Sequence, residues 1–271
     1  MHALLTHPAI QAVLAPFLIA LLTAELLQRL RLSGLAIVAG FAITVYLASS
    51  FAFTPLSDTR KIIWLCLASG LLAIPLGLFN WSLWRSVLTV LAAAASVWVA
   101  QRALLLQPTA VALQWGTGCA LYVGWLVFWM DGLHESPIRA GSAALALGLG
   151  SGAALLIAGS ALLGKYDVAI GSAAAAYLFI MFVSNSHLPC GRALTLPIAL
   201  VAGLSGCIAV LTLKLPWYTL APLAIIPLAA KLPISEKSVA WVQITLLSAF
   251  TMLCALGAAY LSWHHNGWAA F

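Results

Sequence analysis

Apolar runs long enough to cross a lipid bilayer follow one another along this chain from about residue 8 to residue 262, with only short polar breaks between them. In hydrocarbon no water is present to take up exposed backbone N–H and C=O groups. The backbone must therefore satisfy itself, either as a helix within each run or as strands of a closed barrel. Barrel strands alternate apolar and polar residues over about ten positions, whereas these runs are apolar on every side for about twenty, the length of one helical crossing. The pattern predicts ten helical segments, at 8–28, 33–53, 61–80, 84–106, 109–130, 139–163, 166–184, 193–213, 216–232 and 239–262. With 64% of its 271 residues apolar and 7% charged, the chain has too few charges to solvate a globule of this size. The expected class is an all-α integral membrane protein with no soluble domain.

The polar breaks carry most of the charge. Arg29 and Arg31 close the first run, and Asp58, Arg60 and Lys61 separate the second from the third. Gly164 to Asp167 is read as the break between the sixth and seventh, and Asp131 to Arg139 as a solvated loop. No Lys or Arg precedes the first run and no A-x-A cleavage pattern follows it, so it is expected to be a retained span. The net charge of +6 comes from twelve scattered Lys and Arg that form no basic stripe, which excludes nucleic acid as a partner. Alternate connections hold seven of these cations against five, a bias that places both termini outside the cytoplasm. The expected setting is the bacterial plasma membrane.

An internal repeat is the most informative pattern. Leu67-Ala68-Ser69-Gly70-Leu71 parallels Leu200-Val201-Ala202-Gly203-Leu204 at an offset of 133, and in each a Trp follows the Gly by fourteen residues, Trp84 and Trp217. Gly40-x-Ala42-x-x-x-Tyr46 parallels Gly171-x-Ala173-x-x-x-Tyr177 at an offset of 131, and Arg60 and Arg192 follow at 132. Halves of five helices, residues 1–136 and 137–271, would cross in opposite senses, giving an inverted repeat about an axis in the membrane plane. Chance similarity stays open, because Ala, Leu and Gly dominate any membrane helix. In helix count, loop length and two inverted halves the pattern resembles the drug/metabolite transporter superfamily. No family motif occurs in these residues, so the resemblance implies an architecture and no functional position.

Ionisable groups inside the spans are scarce. Glu25, in the first run, is the candidate coupling residue, although Arg29 four residues on offers it a partner along one helix face. In the fifth segment Gln114, Gly118, Tyr122, Trp125 and Trp129 recur at steps of three and four and share a stripe. Gln114, Tyr122 and Trp125, with the repeat-related Tyr46 and Tyr177, are the substrate-binding candidates for a small organic solute. The alternative is that the glycines serve helix packing and the indoles belong to the interfacial belt. The sixth segment is a rod of small residues with Gly148 and Gly152 at GxxxG spacing. Pro75, Pro222 and Pro227 are candidate hinges, since proline frees a helix carbonyl.

Dense polar chemistry occurs only in two connections, Asp131-x-x-His134-Glu135 and Asn185-x-His187-x-x-Cys190, and neither spacing matches a zinc motif. The five cysteines form no framework, and no Walker A loop, Rossmann fingerprint or haem motif is present. No catalytic residue, metal or cofactor is assigned. Three functions remain. The leading one is a permease moving a small organic solute by alternating access, with lipid and solute as partners. The alternative is a non-catalytic membrane subunit or assembly factor packed against other proteins or a second copy. An intramembrane hydrolase would need Asp131, His134, Glu135 and His187 to converge.

Overall fold

The computed structural model describes residues 7–49, 51, 54–78, 83–185, 188–234 and 239–266. Among them are ten α-helices and no strand: α1 (Ala15–Leu27), α2 (Ala36–Ser49), α3 (Asp58–Leu78), α4 (Trp84–Leu105), α5 (Thr109–Asp131), α6 (Pro137–Ile157), α7 (Ala161–Ser184), α8 (Arg192–Thr212), α9 (Leu220–Ala229) and α10 (Ala240–Asn266). A π-helical turn, Ile10–Leu14, leads into α1. Eight helical stretches are long and apolar enough to cross a membrane; those holding α2 and α9, Ser33–Ser49 and Trp217–Ala229, are shorter. The chain is thus an all-helical protein of membrane type.

Local chemistry accounts for the helix ends. Pro137 opens α6, where its missing N–H has no intrahelical role, and Asn185 closes α7 in the left-handed conformation. Between these helices the structure corrects the expected boundary. The chain turns at Gly159, with φ +92°, and α7 begins at Ala161, so Gly164 and Lys165 lie inside a helix and not in a connection, and Asp167, expected at the edge of the seventh segment, lies nearly two turns into it. Glycine reaches that φ without the Cβ clash that stops other residues, and a turn made by Gly159 and Ser160 leaves no charge to mark it. Lys61 is also not a solvated break. It lies in the first turn of α3, buried, with its ammonium on the Trp98 carbonyl at 2.9 Å and near Asp58 at 3.6 Å.

One helix is enclosed by the others. In α8, 94% of the spanning window is buried, against 72% for both α6 and α7 and 28–39% for the other five spans. The helix packs beside α3, α5 and α6, while α6 packs on α7 and α10, and α1 on α2 and α7. Helices in lipid gain little from burying apolar surface and associate through close packing, which small residues permit. The α6–α7 contact shows this directly. A Cβ on Gly148 would stand 2.4 Å from the Gly171 amide nitrogen, and one on Gly152 would stand 2.9 Å from that of Val168, so two backbones meet where side chains are absent. The small-residue rod read in the sixth segment faces inward.

The pairings α1–α2 and α6–α7 correspond under an exchange of five-helix halves, as do α4–α5 and α9–α10, and α2–α7 and α3–α8 map onto themselves. The α6–α10, α1–α7 and α5–α8 contacts have no counterpart of similar extent among the described residues.

Candidate functional site

A cavity of about 520 Å³ opens between α5 and the start of α9. Gln114, Trp115, Gly118 and Tyr122 line it from α5, and Trp217, Leu220 and Ala224 from the facing segment. Steps of three and four bring the α5 residues to one face, and the 3-10 turn Trp217–Thr219 carries Trp217 across to meet them. Trp115 and Trp217 stack with ring centroids 5.5 Å apart and planes 18° from parallel. Gly118 lies beneath that pair, because a Cβ there would sit 3.2 Å from the Trp217 ring. The Tyr122 hydroxyl is buried without a partner among the described residues. A buried phenol is normally paired, so this O–H is an unsatisfied donor at the back wall of the cavity. Gln114, at the exposed edge, brings an amide with both donor and acceptor.

Behind Tyr122 lies the buried carboxylate that sequence reasoning missed. Gly206 touches the phenol: a Cβ on it would stand 3.7 Å from the Tyr122 oxygen. Its neighbour Ser205 donates to Asp167 Oδ2 at 2.7 Å. Asp167 is 1% exposed, and its Oδ1 has no hydrogen-bond partner among the described residues. Ser151 of α6 lies beside the carboxylate, with its hydroxyl donating to the Leu147 carbonyl. Cys66 of α3 and Tyr122 are within electrostatic reach. An ionisable group enclosed in a bundle is expensive and is a functional candidate by default. Lys165, two residues before Asp167, turns away and reaches Gln11 Oε1 at 3.3 Å. The only signal for Asp167 in the sequence was the glycine turn at Gly159 that moved the helix start.

The other expected site residues are dispersed. Trp125 does not line the cavity but holds α9 beside it, its indole N–H donating to the Ala224 carbonyl at 3.0 Å. Tyr46 is on the outer surface, 6.2 Å from the Phe51 ring, and Tyr177 is fully buried with its hydroxyl on the Leu188 carbonyl. Glu25 is exposed and accepts from Gln28 at 3.0 Å, not from Arg29, because α1 gives way to a 3-10 turn at Gln28–Leu30. Pro75 and Pro227 lie inside α3 and α9, while Pro222 lies in the first turn of α9, where no intrahelical bond is lost. Pro197, inside the enclosed α8, was not singled out from sequence.

At the far end of α5 the groups weighed for an enzyme are otherwise engaged. Asp131 is no loop residue. It ends α5, is 1% exposed and accepts from Arg192 Nε at 2.9 Å, while Arg192 Nη1 donates to the Leu76 carbonyl at 3.0 Å. His134 and Glu135 pair with each other at 3.7 Å, and the Cys190 thiol donates to the His134 carbonyl. His187 lies outside the described residues, among which no three His, Cys, Asp or Glu group as a metal site. Burial pushes the Cys190 thiol up to about 12, so it stays protonated. Its thiolate fraction at pH 8 implies maleimide labelling about 10³-fold slower than for a free cysteine. Site-resolved mass mapping of the labelled, folded protein checks this, and labelling at a free-thiol rate would show that the enclosed geometry is wrong.

No protein-family model matches the chain, and comparison with curated proteins and with solved structures finds no match. What it does must be argued from its own residues.

Proposed function

We propose that the chain is a permease-like protein of the plasma membrane that takes a small organic solute into the cavity between α5 and α9 and moves it by alternating access. One observation carries this reading: a cavity of about 520 Å³ joins an amide, two stacked indoles and an unpaired phenol, and has a buried carboxylate behind it. Those groups suit a solute with one flat or apolar face and a polar edge. The two walls come from the first and second five-helix halves, residues 1–136 and 137–271, read as inverted units whose relative rocking would open the cavity to alternate sides. The matching α1–α2 and α6–α7 pairs, and α4–α5 and α9–α10, support that pairing of halves. Asp167, reached through Gly206 and Ser205, takes the coupling role instead of Glu25. Pro227, inside the helix that carries one wall, is the hinge best placed to act on the cavity.

The rival reading, a subunit whose helices serve to pack against partners, called for an outward small-residue face. Gly148 and Gly152 are instead occupied by α7 of the same chain.

Gly118→Leu places a side chain in the cavity under Trp217, whereas Leu113→Ala changes an exposed position of the same helix outside the cavity lining. In proteoliposomes challenged with amino acids, organic cations and nucleosides, the natural chain is expected to show saturable uptake of one class. Gly118→Leu should abolish it with the helix content intact, and Leu113→Ala should keep it. No saturable uptake of any class by the natural chain, or full uptake by Gly118→Leu, overturns the reading.

A further inference from the structure

At the opposite end of α5 from the cavity mouth, three cations gather around the helix terminus. Arg85, in the first turn of α4, donates from Nε to the Phe128 carbonyl at 2.8 Å, and its guanidinium lies 3.6 Å over the Phe128 ring. Lys231, just after α9, places its ammonium 4.4 Å from the centre of the Trp129 ring. Both converge on Gly132, where a Cβ would stand 3.0 Å from Arg85 Nη2 and 3.1 Å from Lys231 Nζ, so one atom there touches both charges. Arg139 donates to the Ala230 and Leu232 carbonyls on either side of Lys231.

Nothing negative among the described residues answers them. Asp58 pairs with Lys61 and Asp131 with Arg192, and the exposed Glu135, 3.7 Å from His134, forms no ion pair with any of the three. The Trp129 indole N–H is also buried without an acceptor among the described residues. The carbonyls at the end of α5 answer part of Arg85, but a helix terminus supplies only about half a charge. Burial first, and then the neighbouring charges of Arg85 and Arg139, hold the Lys231 ammonium below the usual lysine range. Clustered cations with no anionic partner among the described residues, beside aromatic rings at the edge of an apolar bundle, suit a tetrahedral oxyanion.

We propose that Arg85, Lys231 and Arg139 form a binding site for a phosphate group at the Gly132 end of α5, with Lys231 as its adjustable contact. The phosphate comes either from an anionic phospholipid headgroup, which basic pockets between membrane helices recognise, or from a soluble phosphate. The site does not depend on the cavity or on transport.

Native mass spectrometry of the full chain in neutral detergent, titrated with phosphatidylglycerol, phosphatidylcholine or inorganic phosphate, tests it. The Lys231 ammonium makes no hydrogen bond to a described residue, so Lys231→Gln should melt like the natural chain while binding the phosphate-bearing probe about tenfold more weakly, the loss of one charge-assisted contact. Lys231→Arg should restore binding. Retention of one phosphatidylglycerol that inorganic phosphate does not displace identifies the lipid source; displacement by millimolar inorganic phosphate identifies the soluble one. Equal retention of phosphatidylglycerol and phosphatidylcholine with no phosphate binding, or unchanged binding by Lys231→Gln, overturns the proposal.

Discussion

Arg192→Met is expected to lower stability by about 3–5 kcal/mol, the cost of leaving a buried charge without its partner. The pair it breaks is enclosed on both sides: Arg192 is 6% exposed, Asp131 is 1% exposed, and their nitrogen and oxygen lie 2.9 Å apart. The same guanidinium caps α3 through the Leu76 carbonyl, which falls among the last carbonyls of a helix and lacks an intrahelical donor. One side chain therefore ties the start of α8 to the ends of α3 and α5. Arg192→Lys should recover only part of the loss, since a single ammonium does not reproduce two bonds in a fixed fork. The double variant Arg192→Met with Asp131→Leu should recover most of it, because an apolar pair removes the orphaned carboxylate. Unfolding of the purified chain in mixed micelles by a denaturing detergent reads all three. An Arg192→Met midpoint equal to the natural one would show that the pair is not enclosed.

Asp167→Asn is expected to keep the fold and remove gradient-driven accumulation. Asparagine retains an acceptor for Ser205 and the volume that α6 and α8 pack around, yet it carries no titratable proton. If one proton accompanies each solute, an imposed difference of one pH unit supports about tenfold accumulation, the free energy equivalent of one pKa unit. The variant should equilibrate solute without accumulating it, and exchange across a liposome without a gradient should persist. Glu25→Gln should behave as the natural chain, because Glu25 is exposed and bonded to Gln28. Accumulation by Asp167→Asn at the natural level would remove Asp167 from the coupling role. Loss of exchange as well as accumulation would point to a packing role for the carboxylate.

These two carboxylates mark the limit of sequence reasoning in this chain. Charges served as punctuation between apolar runs, a rule that worked for Arg29 and Arg31 but placed Asp131 in a solvated loop and Asp167 at the edge of a span. The turn before α7 was made by Gly159 and Ser160, residues that are common within membrane helices, so the true boundary had no distinctive mark. Glu25 drew attention because it stood in the middle of an apolar run, yet position along a run says nothing about which way a side chain faces. The stripe on α5 was legible as far as Gln114, Gly118 and Tyr122, which share one helix face. It was not legible that Trp217 would complete the wall, since that depends on how α9 docks.

Sequence alone determined that the chain is built of apolar helices of membrane type, though not where each of them begins and ends. Runs of about twenty apolar residues must satisfy their own backbone in lipid, and this holds whatever the neighbouring helices do. Only the tertiary structure decided that α8 is enclosed, that α6 turns its small residues to α7, and that Asp131 and Asp167 are buried while Glu25 is not. The physical reason is that lipid and protein interior are equally apolar. In water a helix shows its buried face by the polarity of the other, whereas in a membrane both faces read alike and the choice is made by fit between helices far apart in the chain.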